Sequence, residues 1–343
     1  MAALFRLLSA LLPALALAVI VFGAYVRLTD AGLGCPDWPG CYGRLAVPEA
    51  GAEIHLDDPV WNARPFESGK AWREMTHRYL AGTLGLGIVL MAIAARNPAR
   101  QGASNLAVYL LVPLVVFQGV LGMWTVTLLL KPLVVSAHLL GGLATLSLLW
   151  WNFISTHPWA APRRPRENLA ANRGENSRLV DHGSLRTIAW AAITVLVAQI
   201  FLGGWTSANY AALACPDFPS CQGRWWPNTD FGEAFDLWRG GKINYEFGVL
   251  DTPARTAIHV THRLGAAVAA AFILGAGVAA IGGGSPRLRR VAWCILAALV
   301  FQLVMGISNV IGGLPLPVAI AHNAGAAALL LTLITLLHAI YQD

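Results

Sequence analysis

Eight separate runs of about twenty apolar residues decide what this chain can fold into. They cover approximately 8–27, 74–95, 105–127, 132–154, 187–207, 256–281, 289–312 and 316–340. Each is long enough to cross a hydrocarbon layer of roughly 30 Å as a helix. Composition agrees with that reading: 56% of the 343 residues are hydrophobic and only 12% are charged, against roughly 25% charged in a soluble domain. The chain therefore reads as an all-α polytopic membrane protein. The first run lacks a small-residue cleavage site and leads directly into a motif that repeats later. It reads as a retained span, not as a signal peptide.

Orientation follows from the basic residues. Arg6, Arg96, Arg100, Arg163, Arg164, Arg166, Arg173, Arg178, Arg186, Arg287, Arg289 and Arg290 all fall on one side of the spans. That side is assigned to the cytoplasm of a bacterial inner membrane, with both termini inside. Long loops at about 28–73 and 208–255 then lie outside. The formal charge of +6, from 24 basic and 18 acidic residues, reports membrane orientation, and no nucleic-acid partner is expected. The polar stretch at about 155–186 is rich in Arg, Pro and Asn and reads as a solvated linker. His157 and His182 within it are ordinary surface residues on this reading, as is His55 in the first outer loop. His338, at the inner end of the last span, has no counterpart in the other half and carries no assigned role.

An internal repeat sets the architecture. Cys35 and Cys41 recur 180 positions later as Cys215 and Cys221. His77 recurs at an offset of 185 as His262, and His138 at 184 as His322. Phe117-Gln118 recurs at 184 as Phe301-Gln302. Four spans per half is an even number, so both halves enter from the same side. The expectation is two pseudo-symmetric parallel four-helix bundles, residues 1–156 and 187–343, joined by a cytoplasmic linker at 157–186.

The four matched histidines open even-numbered spans, in the motifs Glu74-Met75-Thr76-His77-Arg78, His138-Leu139-Leu140-Gly141, His259-Val260-Thr261-His262-Arg263 and His322-Asn323-Ala324-Gly325. A histidine within a bilayer is expensive and by default functional. Two imidazoles from different helices at one depth suit the axial positions of a haem iron. Zinc wants three or four convergent ligands, and each half offers two well-placed histidines plus Glu74 or His259, so haem is favoured over zinc. Gly82, Gly85, Gly87, Gly141, Gly142, Gly265 and Gly325 leave room for a flat ring or for close helix packing. Arg78 and Arg263 are read as partners of haem propionates, since guanidinium suits carboxylates. Glu74 and His259 occupy one repeat position. Residues three apart share a helix face, so Glu74 lies on the His77 side, and a carboxylate there moves protons or balances positive charge. Arg27 and Asp30 face Ser207 and Tyr210 in the repeat alignment, which makes the first half the more polar one.

Each outer loop carries a matched Cys-Pro-Asp-aromatic-Pro-x-Cys segment, Cys35 to Cys41 and Cys215 to Cys221. The prolines and the acid favour a tight turn, and the compartment is oxidising, so a disulfide is expected in each loop. These bonds either brace the loops or exchange electrons near the site. Cys294 is read as a packing residue. Gln118 and Gln302 are read as interhelical hydrogen-bonding amides.

Gly23-Ala24-Tyr25-Val26-Arg27-Leu28-Thr29, the first cysteine segment, Glu74-Met75-Thr76-His77-Arg78 and the partner histidines closely resemble the haem A synthase family over nearly the whole chain. The resemblance implies that haem B, as cofactor, sits between His262 and His322, with haem O, as substrate, between His77 and His138. It implies oxidation of the C8 methyl of haem O to a formyl group by successive hydroxylation and loss of water, giving haem A for terminal oxidase assembly. It assigns Glu74 as the catalytic carboxylate and allows a redox role for Cys35 and Cys41. Haem O synthase and terminal-oxidase assembly factors are the implied protein partners, membrane lipid surrounds the spans, and an oligomer is compatible with the chain. Two rivals stand beside this reading. A di-haem B electron carrier linked to quinol would need no carboxylate in one pocket only. A two-repeat transporter would place its polar site at the midplane, whereas here the polar residues cluster at the outer ends.

Overall fold

The computed structural model describes residues 1–49, 65–96, 105–157, 181–241, 243–282 and 285–342. His55, Arg100 and the linker arginines from Arg163 to Arg178 lie outside these residues. Among the described residues the fold is entirely helical, with no strand beyond two isolated bridges. Eight helices are long and apolar enough to cross a membrane. They are α1 (Ala2–Leu28), α2 (Ser68–Ala95), α3 (Leu106–Thr127), α4 (Pro132–Thr156), α5 (His182–Ala208), α7 (Thr252–Gly282), α8 (Pro286–Ile311) and α9 (Leu316–Gln342); a short helix, α6 (Phe231–Ala234), lies in the loop between α5 and α7. Helix is the only open-ended element that satisfies its own backbone in hydrocarbon, because every N–H meets a carbonyl of the same segment.

Several helices start earlier than the apolar runs do. α2 begins at Ser68 and α7 at Thr252, whereas hydropathy places the span starts near 74 and 256. The expectation that the key histidines sit in first turns is therefore corrected. His77 is the tenth residue of α2 and His262 the eleventh of α7, while His138 and His322 are each the seventh of α4 and α9. Hydropathy reports where lipid begins, but the helical hydrogen-bond ladder continues into the polar outer segment.

The packing order explains how the sites are framed. α1 packs on α2, α2 on α3, α3 on α4 and α4 on α1, closing a ring in the first half. In the second half α5, α7, α8 and α9 close a ring in the same way. α4 with α5, α1 with α9 and α4 with α9 join the halves. A continuous core runs through both, including Phe5, Ile88, Leu149, Leu185, Ile273 and Leu333, and α9 is the most enclosed of the eight spans.

Polar contacts at both ends of the seam tie the halves together. Toward the inner end, Trp150 Nε1 donates to Thr335 Oγ1 at 2.9 Å. His338, only 1% exposed, lies 3.1 Å from Ser155 Oγ and edge-on to Trp151. Having no repeat counterpart, His338 is a seam residue, a role its sequence position does not show. At the outer end, Arg27 Nη2 donates to Ser207 O at 2.6 Å. Its guanidinium lies 4.1 Å from the Tyr210 ring centroid and 3.6 Å from Asp30. Tyr210 in turn donates to Asp30 Oδ1 at 3.0 Å. Residues read as a polarity difference between the halves thus meet their own repeat counterparts across the seam. Cys294 is corrected as well: it is exposed on the outside of α8 and packs in no core.

The second outer loop reaches over the first half. Tyr245 N–H donates to Leu129 O at 3.0 Å. Lys131, buried at the α3–α4 turn, donates to Arg239 O at 2.8 Å and lies 3.5 Å from the Trp238 ring centroid.

Arg27→Ala removes a charged hydrogen bond and a cation–π contact from the outer seam. The expected loss is about 1.5–3 kcal/mol, read as a lower thermal unfolding midpoint in detergent. An unchanged midpoint shows that the apolar helix contacts alone hold the halves.

Candidate functional site

Each half places two histidines on helices that lie diagonally across its ring. α2 carries His77 and α4 carries His138, and these two are not among the closely packed helix pairs. The same holds for α7 with His262 and α9 with His322. All four rings are half-buried.

The flanking helices meet the rings with glycine. A Cβ on Gly23 of α1 would stand 2.8 Å from His77 Cε1, and one on Gly122 of α3 would stand 3.5 Å from His138 Cε1. In the second half Gly203 and Gly306 take these places, at 3.3 Å from His262 Cε1 and 3.1 Å from His322 Cε1. Sequence reading missed these four. Their signal was present, since Gly23 and Gly203 keep the cysteine offset and Gly122 and Gly306 the His138 offset. Of the glycines singled out from sequence, Gly141 and Gly325 instead make room for Gln118 and Gln302, and Gly265 for Gln199.

The imidazoles are poorly partnered. Nδ1 of His77, His138 and His322 is buried with no hydrogen bond among the described residues. Gln302 Nε2 is 3.4 Å from His322 Nε2, whereas the matched Gln118 Nε2 has no partner among the described residues. A buried polar atom without a partner is destabilising, and a ligand at the ring is one way to offset it. Two histidines on helices diagonal across one ring, three of the four with a buried Nδ1 that has no partner among the described residues, suit a haem held between them. Among the described residues no group of three or more His, Cys, Asp or Glu side chains converges as a metal site, which does not match the ligand count of structural zinc.

Above each ring sits a disulfide-closed turn. Cys35–Cys41 and Cys215–Cys221 are both bonded. In the first turn Cys41 and Arg44 exchange both backbone hydrogen bonds, at 2.8 and 3.2 Å. Tyr42 and Gly43 between them both have positive φ, the signature of a two-residue primed hairpin. Asp37 caps that hairpin, accepting from Tyr42 N at 2.5 Å and Gly43 N at 2.8 Å. Asp217 does the same for Gln222 N at 2.6 Å and Gly223 N at 3.0 Å, and also accepts from the Ser220 hydroxyl.

Helices α2 and α7 clasp these turns. Arg78 donates to the carbonyls of Asp37 at 2.8 Å, Pro39 at 3.3 Å and Gly40. Arg263 donates to Ser220 O at 2.8 Å, Cys215 O at 2.9 Å and Asp217 O at 2.8 Å. The guanidiniums expected at haem propionates are thus engaged by loop backbone, with Arg263 Nε left buried and without a partner among the described residues. Glu74, 5% exposed, accepts from Cys35 N at 2.9 Å through Oε2 and from Arg78 Nη2 at 2.5 Å through Oε1. His259 Nδ1 holds the Cys215 N–H in the same way at 3.3 Å. Position 74/259 therefore braces the first cysteine in both halves, and only in the first half does it add a negative charge.

A family model for cytochrome oxidase assembly proteins of the COX15-CtaA type matches residues 6–334. The chain belongs to this family. A heme A synthase of Shewanella oneidensis is 43% identical over 320 residues, 93% of this chain and 92% of the relative. Heme A synthases of Paracoccus denitrificans and Caulobacter vibrioides are 26% and 25% identical, covering 91% and 93% of this chain and 81% and 91% of their own lengths. The family match spans both histidine pairs and both disulfide turns, so neither half is an addition peculiar to this chain.

The Asp217 carboxyl is held at about 2, below its ordinary 3.8, because the Ser220 hydroxyl and the Gly223 and Gln222 amides hydrogen-bond its charged form. A depressed carboxylate stabilises the fold above its unfolded value and loses that contribution as pH falls through the folded one. The Gln222 and Gly223 amides are therefore expected to stay protected from hydrogen exchange at pH 4 and to lose protection toward pH 2. Loss already complete at pH 4 contradicts the assigned capping.

Proposed function

We propose that the chain is a haem A synthase that oxidises the C8 methyl of haem O to a formyl group by two hydroxylations and loss of water. The observation that carries this reading is the asymmetry at one repeat position. Both halves offer two histidines on diagonally placed helices, each ring packed against a glycine, but only the first sets a buried carboxyl group, Glu74, one helical turn from its histidine. An electron carrier with the same haem in both halves gives that difference no purpose.

In this reading His77 and His138 hold haem O in the first half, and His262 and His322 hold haem B in the second. Haem B, when bound, supplies a bis-imidazole iron that passes single electrons. Glu74 is the group placed to accept a proton or to balance positive charge as the methyl is oxidised. Arg78 and the Cys35 N–H fix both of its oxygens, so the carboxylate is held in one orientation. Arg263 plays the corresponding structural part in the second half. The disulfide of Cys35 and Cys41 is one backbone hydrogen bond away from Glu74, which couples the redox state of the loop to the position of the carboxylate.

The remaining assignments extend the same reading. Residues 1–156 form the substrate half and 187–343 the cofactor half. The protein lies in the bacterial inner membrane with both termini cytoplasmic. Two disulfides on one side and Arg6, Arg96, Arg186, Arg287, Arg289 and Arg290 at the opposite helix ends support that orientation. Haem O synthase and oxidase assembly factors are the proposed protein partners.

Glu74→Gln keeps an acceptor for the Cys35 N–H and removes the charge. Supplied with haem O, this variant is expected to keep its haem B spectrum while turnover falls about 10²- to 10⁴-fold, read by extracting the pigments. Extraction of haem B alone from both halves of the unaltered chain, unchanged by added haem O, overturns the proposal.

A further inference from the structure

We propose that Gln199 is a positioning residue for His262, fixing its ring for the resident haem; this rests on the reading that haem B lies between His262 and His322. Gln199 is an amide in the apolar helix α5. Its Nε2 donates to His262 Nδ1 at 3.0 Å and to His262 O at 2.9 Å. Its Oε1 is buried without a partner among the described residues, and faces the space that Gly265 leaves by lacking a Cβ. One turn along α5, Gly203 abuts His262 Cε1. α5 thus grips one ring twice, by an amide at its nitrogen and by close backbone approach at its carbon.

The first half has the second grip and lacks the first. Gly23 abuts His77 as Gly203 abuts His262, but the residue 180 positions before Gln199 is Val19. His77 Nδ1 has no hydrogen-bond partner among the described residues. The amides shared by both halves, Gln118 and Gln302, stand near the other histidine of each pair, so Gln199 is the added one. A resident cofactor needs ligands that stay in place, whereas a substrate haem must leave as product. An extra hydrogen bond on a cofactor ligand, absent from the substrate half, matches that division.

The amide suits either tautomer of the ring. As it stands, Nε2 donates to an unprotonated Nδ1. With the ring bound through Nε2, Nδ1 carries the proton, and the carbonyl end of the same amide accepts its hydrogen bond once the amide turns over and gives up its hydrogen bond to His262 O. Such an acceptor fixes the orientation of a ligating histidine and raises its basicity.

The test uses the purified full-length chain, unaltered and as Gln199→Val, Gln199→Glu and His262→Ala. The readouts are haem type and amount, the rate of haem B transfer to excess apomyoglobin, and the reduction midpoint of the low-spin haem. Gln199→Val copies the first half. It is expected to assemble with haem B but release it about 10-fold faster. Losing a tenfold preference for the ferric state raises its midpoint by about 59 mV. Gln199→Glu keeps an acceptor of the same size with more charge, so it should retain haem B at the unaltered rate and lower the midpoint. Release rates and midpoints equal to the unaltered chain in both variants overturn the assignment. If Gln199→Val does not accumulate, an unchanged midpoint in Gln199→Glu overturns it alone. Full retention of low-spin haem B by His262→Ala overturns the underlying site as well, which separates the two failures.

Discussion

In hydrocarbon every backbone polar group must find its partner within the protein, and in this fold each helix supplies those partners from its own segment. The same medium makes each polar side chain within the eight helices costly. Such side chains survive where they meet one another or where a ligand completes them. The structure concentrates them accordingly. The histidines and glutamines lie inside the two helix rings. Arg27, Asp30 and Tyr210 close one end of the seam, while Trp150, Thr335, Ser155 and His338 close the other.

The diagonal placement of the histidine helices turns packing into a site. Neighbouring helices in a ring touch along their length, whereas α2 and α4, or α7 and α9, face each other across it. Gly23, Gly122, Gly203 and Gly306 let the flanking helices pack close against the imidazoles. One histidine helix of each pair also belongs to the seam, and α4 packs directly on α9. The helices that bear His138 and His322 therefore touch each other across the seam.

The clasp between each disulfide turn and its helix gives the repeat its second layer. Arg78 and Arg263 each hold carbonyls of a turn that Asp37 or Asp217 has already capped. This arrangement places Glu74 in a dual role. It braces Cys35 as His259 braces Cys215, and it alone brings a carboxylate to the histidine face. The chemistry proposed for the first half thus rests on a side chain that is also a structural part, and its orientation depends on an intact turn.

Hydropathy and the near-constant repeat offsets were enough to show eight spans, two matched halves, the paired histidines, the paired cysteines and the singular Glu74. These are one-dimensional signals, since spacing and residue type survive without coordinates. Partner choice does not. Arg78 beside His77 reads as a propionate partner from sequence, but its contacts with the carbonyls of Asp37 and Gly40, about forty positions away, cannot be read from spacing. Arg27 and Asp30 read as local polarity because their partners, Ser207 and Tyr210, are 180 positions away and meet them only across the seam. Gln199 is one polar residue in an apolar run, and its meaning comes from the imidazole 63 positions on that the α5–α7 contact brings to it. What the sequence determined by itself is the inventory and its symmetry. Tertiary packing alone decided which of those groups touch, because contact depends on helix neighbours that spacing along the chain does not encode.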